Sequence, residues 1–148
     1  MKSITARLFL ALALLSGAFA SPTFAQKAPA GGGGPQGKVF PVNVAWELVS
    51  VNGAAPEGEK PTLQLDSQLR MRGFGGCNTF SATAYPLKNQ GITVGPVAVT
   101  SKTCDKAVME AEKVYLLGLR TALQWDVSGG LLVLRGEKAE LKFQRALF

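Results

Sequence analysis

Apolar and polar residues alternate along much of the chain from Val44 onward, which is the pattern of half-buried β-strands. Val44, Trp46 and Leu48 fall on alternate positions, and the strong turn signal Asn52-Gly53 follows them. The same period of two predicts further strands near 63–65, 69–73, 81–87, 92–94 and 97–99. Short turn-forming stretches separate these segments, so we expect antiparallel hairpin pairing between neighbours.

The period changes after Asp105, where apolar residues recur at spacings of three and four. This spacing predicts one amphipathic helix that ends before Gln124, with Asp105 as its N-cap. Glu110 and Glu112 lie towards the positive end of the helix dipole and are expected on the solvated face. The predicted apolar face comprises Val108, Ala111, Tyr115, Leu116, Leu119, Ala122 and Leu123.

Period two returns after the helix, around Trp125, Leu132 and Phe143, with glycine turns between the segments. These segments predict a three-strand meander. The whole pattern indicates an α+β fold, in which a curved, antiparallel, barrel-like sheet packs on one amphipathic helix. Trp46 and Trp125 fall in the apolar register of their strands, so we expect core positions rather than a platform for a ligand.

The first 25 residues have the features of a cleavable signal peptide. Lys2 and Arg7 precede an uncharged apolar run, and cleavage is expected after Ala20 or Ala25. The run is shorter than the roughly 20 residues needed to cross a bilayer, which favours cleavage over an uncleaved anchor. Ala18 stands where a lipoprotein signal would carry its cysteine, so we expect no lipid attachment.

Two further regions follow the predicted signal peptide. Residues 26–38 are rich in glycine and proline with almost nothing apolar to bury, which predicts a flexible leader. Residues 39–148 are long enough for one ordinary domain with its own core. We therefore expect a periplasmic or secreted protein without stable membrane insertion.

The chain has 16 basic and 10 acidic residues, and its net charge is +6. Loss of Lys2 and Arg7 would leave 14 basic residues against the same 10 acidic ones. The basic residues are scattered rather than arranged in an aromatic-interleaved stripe, so we expect no nucleic-acid partner. Arg70 and Arg72 share one strand face; they are expected to aid solubility, with an acidic partner or lipid headgroups as the alternative.

The chain contains no histidine, which removes the commonest general base and the commonest metal ligand. Ser-His and Cys-His catalysis are thereby excluded, and we expect neither a metal nor a cofactor. The two cysteines, Cys77 and Cys104, are too few for a four-cysteine zinc site and do not form a Cys-x-x-Cys redox motif. An oxidising compartment favours a disulfide between them over two free buried thiols.

A series of short motifs runs in a fixed order from about Val42 to Phe143. The motifs are Trp46-Glu47-Leu48, Pro61-Thr62-Leu63, Gly73-Phe74-Gly75-Gly76-Cys77-Asn78-Thr79-Phe80, Ile92-Thr93-Val94-Gly95-Pro96 and Thr100-Ser101-Lys102-Thr103-Cys104. Together they resemble the META domain, also called the HslJ-like family. The most specific part of the pattern is Gly75, Gly76, Cys77 and Asn78, followed by Gly95-Pro96.

The resemblance implies a compact barrel-like sheet on one helix and an envelope location. Family names that refer to heat shock imply a weak link to envelope stress, and no agreed chemical activity comes with the family.

The run from Gly73 to Gly76 could be taken for a phosphate-binding loop, but such a loop needs a helix directly after it. Cys77 and Asn78 lead instead into another extended segment. The glycines are therefore expected to allow a bulge or a close backbone approach. Asn78 is expected to cap buried backbone groups, with a place in a pocket lining as the alternative.

Three functional hypotheses follow. The first is a non-catalytic envelope domain that binds or scaffolds another envelope component, because no catalytic constellation is visible. The second is a carrier whose sheet and helix enclose an apolar small molecule or lipid. The third is an enzyme, which would require Ser101, Lys102 or Glu112 to meet in one cleft. The sequence identifies neither the partner nor the oligomeric state.

Overall fold

The computed structural model of the chain describes residues 37–147. The predicted signal peptide, both of its cleavage sites and the predicted leader up to residue 36 lie outside the described residues, and they stay predictions. Within 37–147, no helix is long and apolar enough to cross a membrane.

The described chain forms nine strands, one α-helix and a short 3₁₀ turn at Lys88–Gln90. The helix α1 spans Lys106–Arg120. The strands are β1 (Ala45–Val51), β2 (Thr62–Leu65), β3 (Arg70–Phe74), β4 (Thr79–Pro86), β5 (Ile92–Val94), β6 (Ala98–Val99), β7 (Ala122–Ser128), β8 (Leu131–Gly136) and β9 (Glu140–Arg145).

The strands form one antiparallel sheet in the order β5-β4-β3-β2-β1-β9-β8-β7, and β6 adds to β4. Most neighbours are consecutive hairpins, as predicted, whereas β1 and β9 join opposite ends of the described chain. The edge strands approach one another through a bridge between Gly91 and Gln124. Gln90 strengthens this seam, since its Nε2 donates to Asp126 Oδ1 at 2.8 Å. The sheet is therefore a nearly closed barrel packed on α1, which confirms the predicted α+β class.

Alternation of side chains places one face of most strands inside the barrel. Trp46 and Trp125 are both buried, as predicted, and fill the interior with aliphatic neighbours from the other strands. Neither indole N–H has a hydrogen-bond partner within the described residues. The largest fully buried side chains are Trp46, Leu48, Leu63, Leu65, Met71, Ile92, Tyr115, Leu119, Leu132, Leu134, Leu141 and Phe143.

The helix ends before Gln124, as predicted, but the placement of Ala122 and Leu123 on its apolar face was wrong. The helix ends at Arg120, so Ala122 and Leu123 belong to β7 instead. The chain turns back tightly at this point, and a Cβ on Gly136 would lie 2.1 Å from the Thr121 carbonyl oxygen. The chain therefore pairs with β8 as a strand from Ala122 onward instead of continuing the helix. A bulge after Ala122 leaves Leu123 exposed.

Helix α1 covers one end of the barrel, which we name the helical end. Tyr115 projects inward between the rings of Phe80 and Phe143, at centroid distances of 5.9 and 6.3 Å. Its hydroxyl donates to the Thr62 carbonyl oxygen at 3.0 Å. Gly118 brings the helix close to β9, because a Cβ there would lie 3.1 Å from Leu141 Cδ2.

The chain enters the domain at the opposite end, which we name the entry end. Phe40 is buried with its ring edge-on to Trp125, at a centroid distance of 5.1 Å. The Asn43 amide donates to the carbonyl oxygen of Leu65, the last residue of β2, at 2.7 Å. Lys38 forms an ion pair with Asp126 on β7. An extended segment of a few residues therefore closes this end.

Candidate functional site

Cys77 and Cys104 form a disulfide, as predicted, with their Cα atoms 6.0 Å apart. Cys77 lies in the turn between β3 and β4, and Cys104 directly precedes the N-cap of α1. The bond therefore ties the start of the helix to the glycine-rich turn. A disulfide is consistent with an oxidising compartment.

Glu112 was predicted on the solvated face of α1, and that prediction was wrong. Its side chain is buried, with only 6% of the residue exposed. Oε1 accepts hydrogen bonds from the backbone amides of Cys77 at 3.2 Å and Asn78 at 2.6 Å. Oε2 accepts one from Asn78 Nδ2 at 2.8 Å. A buried carboxylate needs such donors, and this one fastens the helix to the turn that carries the disulfide.

A signal for this burial was present in the helical spacing. Glu112 lies four residues after Val108, three before Tyr115 and seven before Leu119, so it shares their face of the helix. Its acidic character led to the solvated assignment. Glu110, by contrast, is exposed and pairs with Lys113 at 2.8 Å, as expected for the solvated face. Asp105 occupies the predicted N-cap position, but its side chain makes no capping hydrogen bond.

The Asn78 side chain forms hydrogen bonds with two other segments, residues 100–102 and α1, which is the kind of capping contact expected of it. Its Oδ1 accepts from the Lys102 amide at 2.7 Å and from Thr100 Oγ1 at 2.8 Å. Its Nδ2 donates to Glu112. Lys102 therefore meets this network through its backbone, and the side chains of Ser101 and Lys102 belong to exposed residues.

The glycines of the turn permit close approach, as predicted. A Cβ on Gly75 would lie 2.5 Å from Glu112 Oε1, and one on Gly73 would lie 2.0 Å from the Thr62 carbonyl oxygen. The amides of Cys77 and Asn78 do face an anion, but that anion is the protein's own Glu112.

Gly95 and Pro96 lie apart from this network, at the end of β5. The Gly95 amide donates to the Thr83 carbonyl oxygen at 2.9 Å, and a Cβ on Gly95 would lie 2.7 Å from Thr83 Oγ1. The chain then continues through β6 to Thr100 and Lys102. Gly95 and Pro96 therefore contribute to the site by leading the chain back towards Asn78.

An apolar groove lies beside the disulfide turn, between α1 and the loop that joins β1 to β2. It has a volume of about 580 Å³ and is partly open to solvent. The buried side chains of Leu48 and Tyr115 contribute to its lining. Small residues on the helix, Ala107 and Ala111, and Gly76 of the turn also line it. No single residue singled out from the sequence pointed to this groove, because its walls come from three separate segments.

The groove and the network share their supporting elements. Gly75 and Gly76 line the groove and directly precede Cys77, while Val108 and Tyr115 line it from the helix that Glu112 anchors. The disulfide and the Glu112 hydrogen bonds therefore hold two walls of the groove at a fixed separation.

About half of the remaining charged groups in the described residues form ion pairs on the surface. Arg70 pairs with Asp66 at 2.9 Å, so this arginine is engaged within its own turn, and Arg72 is exposed.

Hydrogen bonds from Lys60 and Gln144 lower the pKa of Glu47, and those from Lys142 and Arg135 lower the pKa of Glu140. Within residues 37–147, no group of three or more acidic or cysteine side chains is arranged to hold a metal ion.

Comparison with solved structures finds similar folds. An NMR structure of a protein from Burkholderia xenovorans is 22% identical, with a TM-score of 0.61, and the match covers 72% of this chain and 84% of that one. A second NMR structure is 24% identical with a TM-score of 0.56, covering 68% and 87%. A DUF4847 family protein from Bacteroides vulgatus is 13% identical with a TM-score of 0.52, covering 68% and 91%.

Comparison with curated proteins finds no significant match. A family model described as the META domain matches residues 41–147, which is most of the chain and includes the glycine turn, both cysteines and α1. The chain therefore belongs to the META domain family.

Proposed function

We propose that this protein is a non-catalytic, exported binding domain of the cell envelope, which holds an apolar part of another envelope component in the groove beside α1. The observation that carries the proposal is the groove itself. Its volume of about 580 Å³ falls within the range of ligand sites, and its lining is predominantly apolar. A link to envelope stress would follow from the identity of that component.

The network around Glu112 supports a binding role rather than a catalytic one. Both carboxylate oxygens are occupied by hydrogen-bond donors of the protein. A general acid or base must instead exchange a proton with a substrate within hydrogen-bonding reach. We therefore assign Glu112 to holding the groove walls in place.

A carrier of a small apolar molecule or lipid is the second candidate, because the same volume would suit one such ligand. The ligand would occupy the groove, since the barrel interior is filled by Trp46, Phe143 and their neighbours. Native mass spectrometry of protein purified from its own envelope tests this version. A co-purifying small molecule supports the carrier, and a bare protein mass contradicts it.

Site-specific photocrosslinking in intact envelopes tests the main proposal. A photoreactive side chain at Ala111 lies in the groove lining, whereas one at Lys113 lies on the same helix outside that lining. We expect a discrete crosslinked envelope component from position 111 and none from position 113. Equal crosslinking from both positions, or none from either, would contradict the proposal.

A further inference from the structure

We propose that the groove selects a polypeptide segment that carries lysine or arginine beside its apolar side chains; this rests on the proposed binding function. The first argument is charge. Glu57 and Glu59 line the groove, and within the described part of the chain no lysine or arginine lines it. Without the predicted signal peptide the chain would still carry 14 basic and 10 acidic residues, so the groove is locally acidic on a basic protein.

The two carboxylates are available to a partner. Both residues are exposed, and neither forms an ion pair with another described residue. The neighbouring Lys60 is engaged by Glu47 at 2.7 Å, outside the lining. Lys106 begins α1 next to the groove but does not line it. A cationic side chain of a partner would therefore meet uncompensated negative charge.

The shape of the groove favours a polypeptide over a compact small molecule. A small-molecule site normally buries most of its ligand, whereas this groove is partly open to solvent. The exposed side chains of Val114 and Leu117 continue the apolar surface along α1, and Leu117 lies beyond the groove lining. An elongated ligand would cover both the groove and this extension.

The loop that joins β1 to β2 also offers backbone hydrogen-bonding groups to a partner. Within the described residues, the backbone of 55–60 takes part in no backbone hydrogen bond. A bound peptide would therefore meet amides and carbonyls of this loop that no other backbone group engages. Apolar side chains would enter the groove while basic side chains reach Glu57 and Glu59.

Three synthetic peptides with identical leucine and alanine positions test the inference, with lysine, glutamine or glutamate at the remaining positions. Binding to the disulfide-bonded protein is measured by isothermal titration calorimetry. At low ionic strength we expect the lysine peptide to bind about tenfold more tightly than the glutamate peptide, with the glutamine peptide between them. At about 1 M salt the difference should largely disappear because exposed charges are screened.

Substitutions in the protein test which residues cause the preference for the lysine peptide. Glu57→Gln combined with Glu59→Gln should remove the preference for lysine, whereas Glu110→Gln combined with Glu137→Gln removes the same charge outside the groove lining and should leave it intact. Ala111→Trp should weaken binding of every peptide by filling the groove. Ala107→Trp provides a second groove-filling variant, and both alanines are exposed, so the fold should tolerate either change.

The outcomes separate this inference from the binding function on which it rests. Equal binding of the three peptides, abolished by Ala111→Trp, would overturn the charge inference and leave the groove as a binding site. A preference that survives Glu57→Gln with Glu59→Gln would overturn the inference as well. Tight binding of a cationic detergent such as dodecyltrimethylammonium, with no peptide binding, would overturn it in favour of a carrier. If no probe binds, the inference fails, and the photocrosslinking result alone decides the binding function.

Discussion

The two ends of the barrel are closed in different ways. At the helical end, a buried carboxylate, a disulfide and an asparagine side chain connect α1 to the turn between β3 and β4. At the entry end, one aromatic side chain packs on Trp125, and a surface ion pair lies beside it. Directional polar bonds fix geometry, whereas apolar contact mainly excludes water. The end with the fixed geometry is also the end that carries the groove.

Removing the Glu112 carboxylate should destabilise the protein more than any other change at either end. Glu112→Ala leaves two buried amides and the Asn78 side chain without their acceptor, and we expect a loss of about 4 kcal/mol in the free energy of unfolding. Glu112→Gln keeps an acceptor for the amides and should lose about half as much. Chemical denaturation followed by tryptophan fluorescence measures both. Similar stability of Glu112→Ala and the unsubstituted protein would show that the network contributes little.

Removing the disulfide should rank second. Replacing both Cys77 and Cys104 by serine releases a loop with a sequence separation of 27, and the chain-entropy model gives a loss of about 3 to 4 kcal/mol. Peptide binding at the groove should weaken as well, because the bond joins two of its walls. Mild reduction of the unsubstituted protein is the matched control. Unchanged binding after reduction would mean that the hydrogen bonds alone keep the groove open.

Truncating the aromatic residue at the entry end comes next. Phe40→Ala should lower the free energy of unfolding by about 3 kcal/mol, at the low end of the range for a buried phenylalanine because Phe40 lies in a segment outside the strands, which can relax. The groove lies at the other end, so peptide affinity should stay the same. A loss of affinity in Phe40→Ala under conditions where it remains fully folded would show that the two ends are coupled.

Alkaline pH should lower the free energy of unfolding through Tyr115 at the helical end. Burial raises the pKa of Tyr115 well above its ordinary value near 10. Above about pH 10 the unfolded chain releases this proton while the folded chain retains it, so the free energy of unfolding falls as pH rises. Tyr115→Phe should cost about 1 kcal/mol at neutral pH through the lost hydrogen bond to Thr62 and should reduce the alkaline slope. Tyr85→Phe, at an exposed tyrosine, is the control, and an equal change of slope there would refute the assignment.

Acidic pH should remove the stability that Asp126 contributes at the entry end, and this loss should be the smallest of those predicted. The hydrogen bond from Lys38 is the main cause that lowers the pKa of Asp126. Because the folded-state pKa is lowered, the contribution to stability is present above about pH 4 and is lost as pH falls through the lowered value. Asp126→Asn should therefore flatten the acid limb of the stability curve slightly. NMR titration of the carboxyl group gives the pKa directly, and an ordinary value would contradict the role of Lys38.

Most strands could be predicted because one of their faces is buried, and burial imposes a period of two. β1 and β5 match the alternation closely, whereas Leu132, Val133 and Leu134 of β8 are buried in succession. The end of α1 could not be predicted in this way, because Ala122 and Leu123 fit the helical period as well as the strand. Tight packing of Gly136 against Thr121, and the pairing with β8, decided between the two.

The candidate site was predicted only in part. The cysteine pair and the capping role of Asn78 follow from residue chemistry, and the structure contains both. The role of Glu112 depends on amides more than thirty residues away along the chain, which local periodicity does not encode. The groove likewise requires the loop before β2, the glycine turn and α1 to meet, so only the folded chain reveals it.

The pairing of β1 with β9 has a consequence for how the domain comes into being. Trp46 lies opposite Arg145, so a strand near the start of the domain finds one of its two neighbours only in the last strand. Long-range pairings of this kind slow folding, since a large loop must close before the contact is gained. During synthesis, β1 would have only the hairpin strands after it as partners until β9 became available. The barrel can therefore close only after the last strand of the domain has been made.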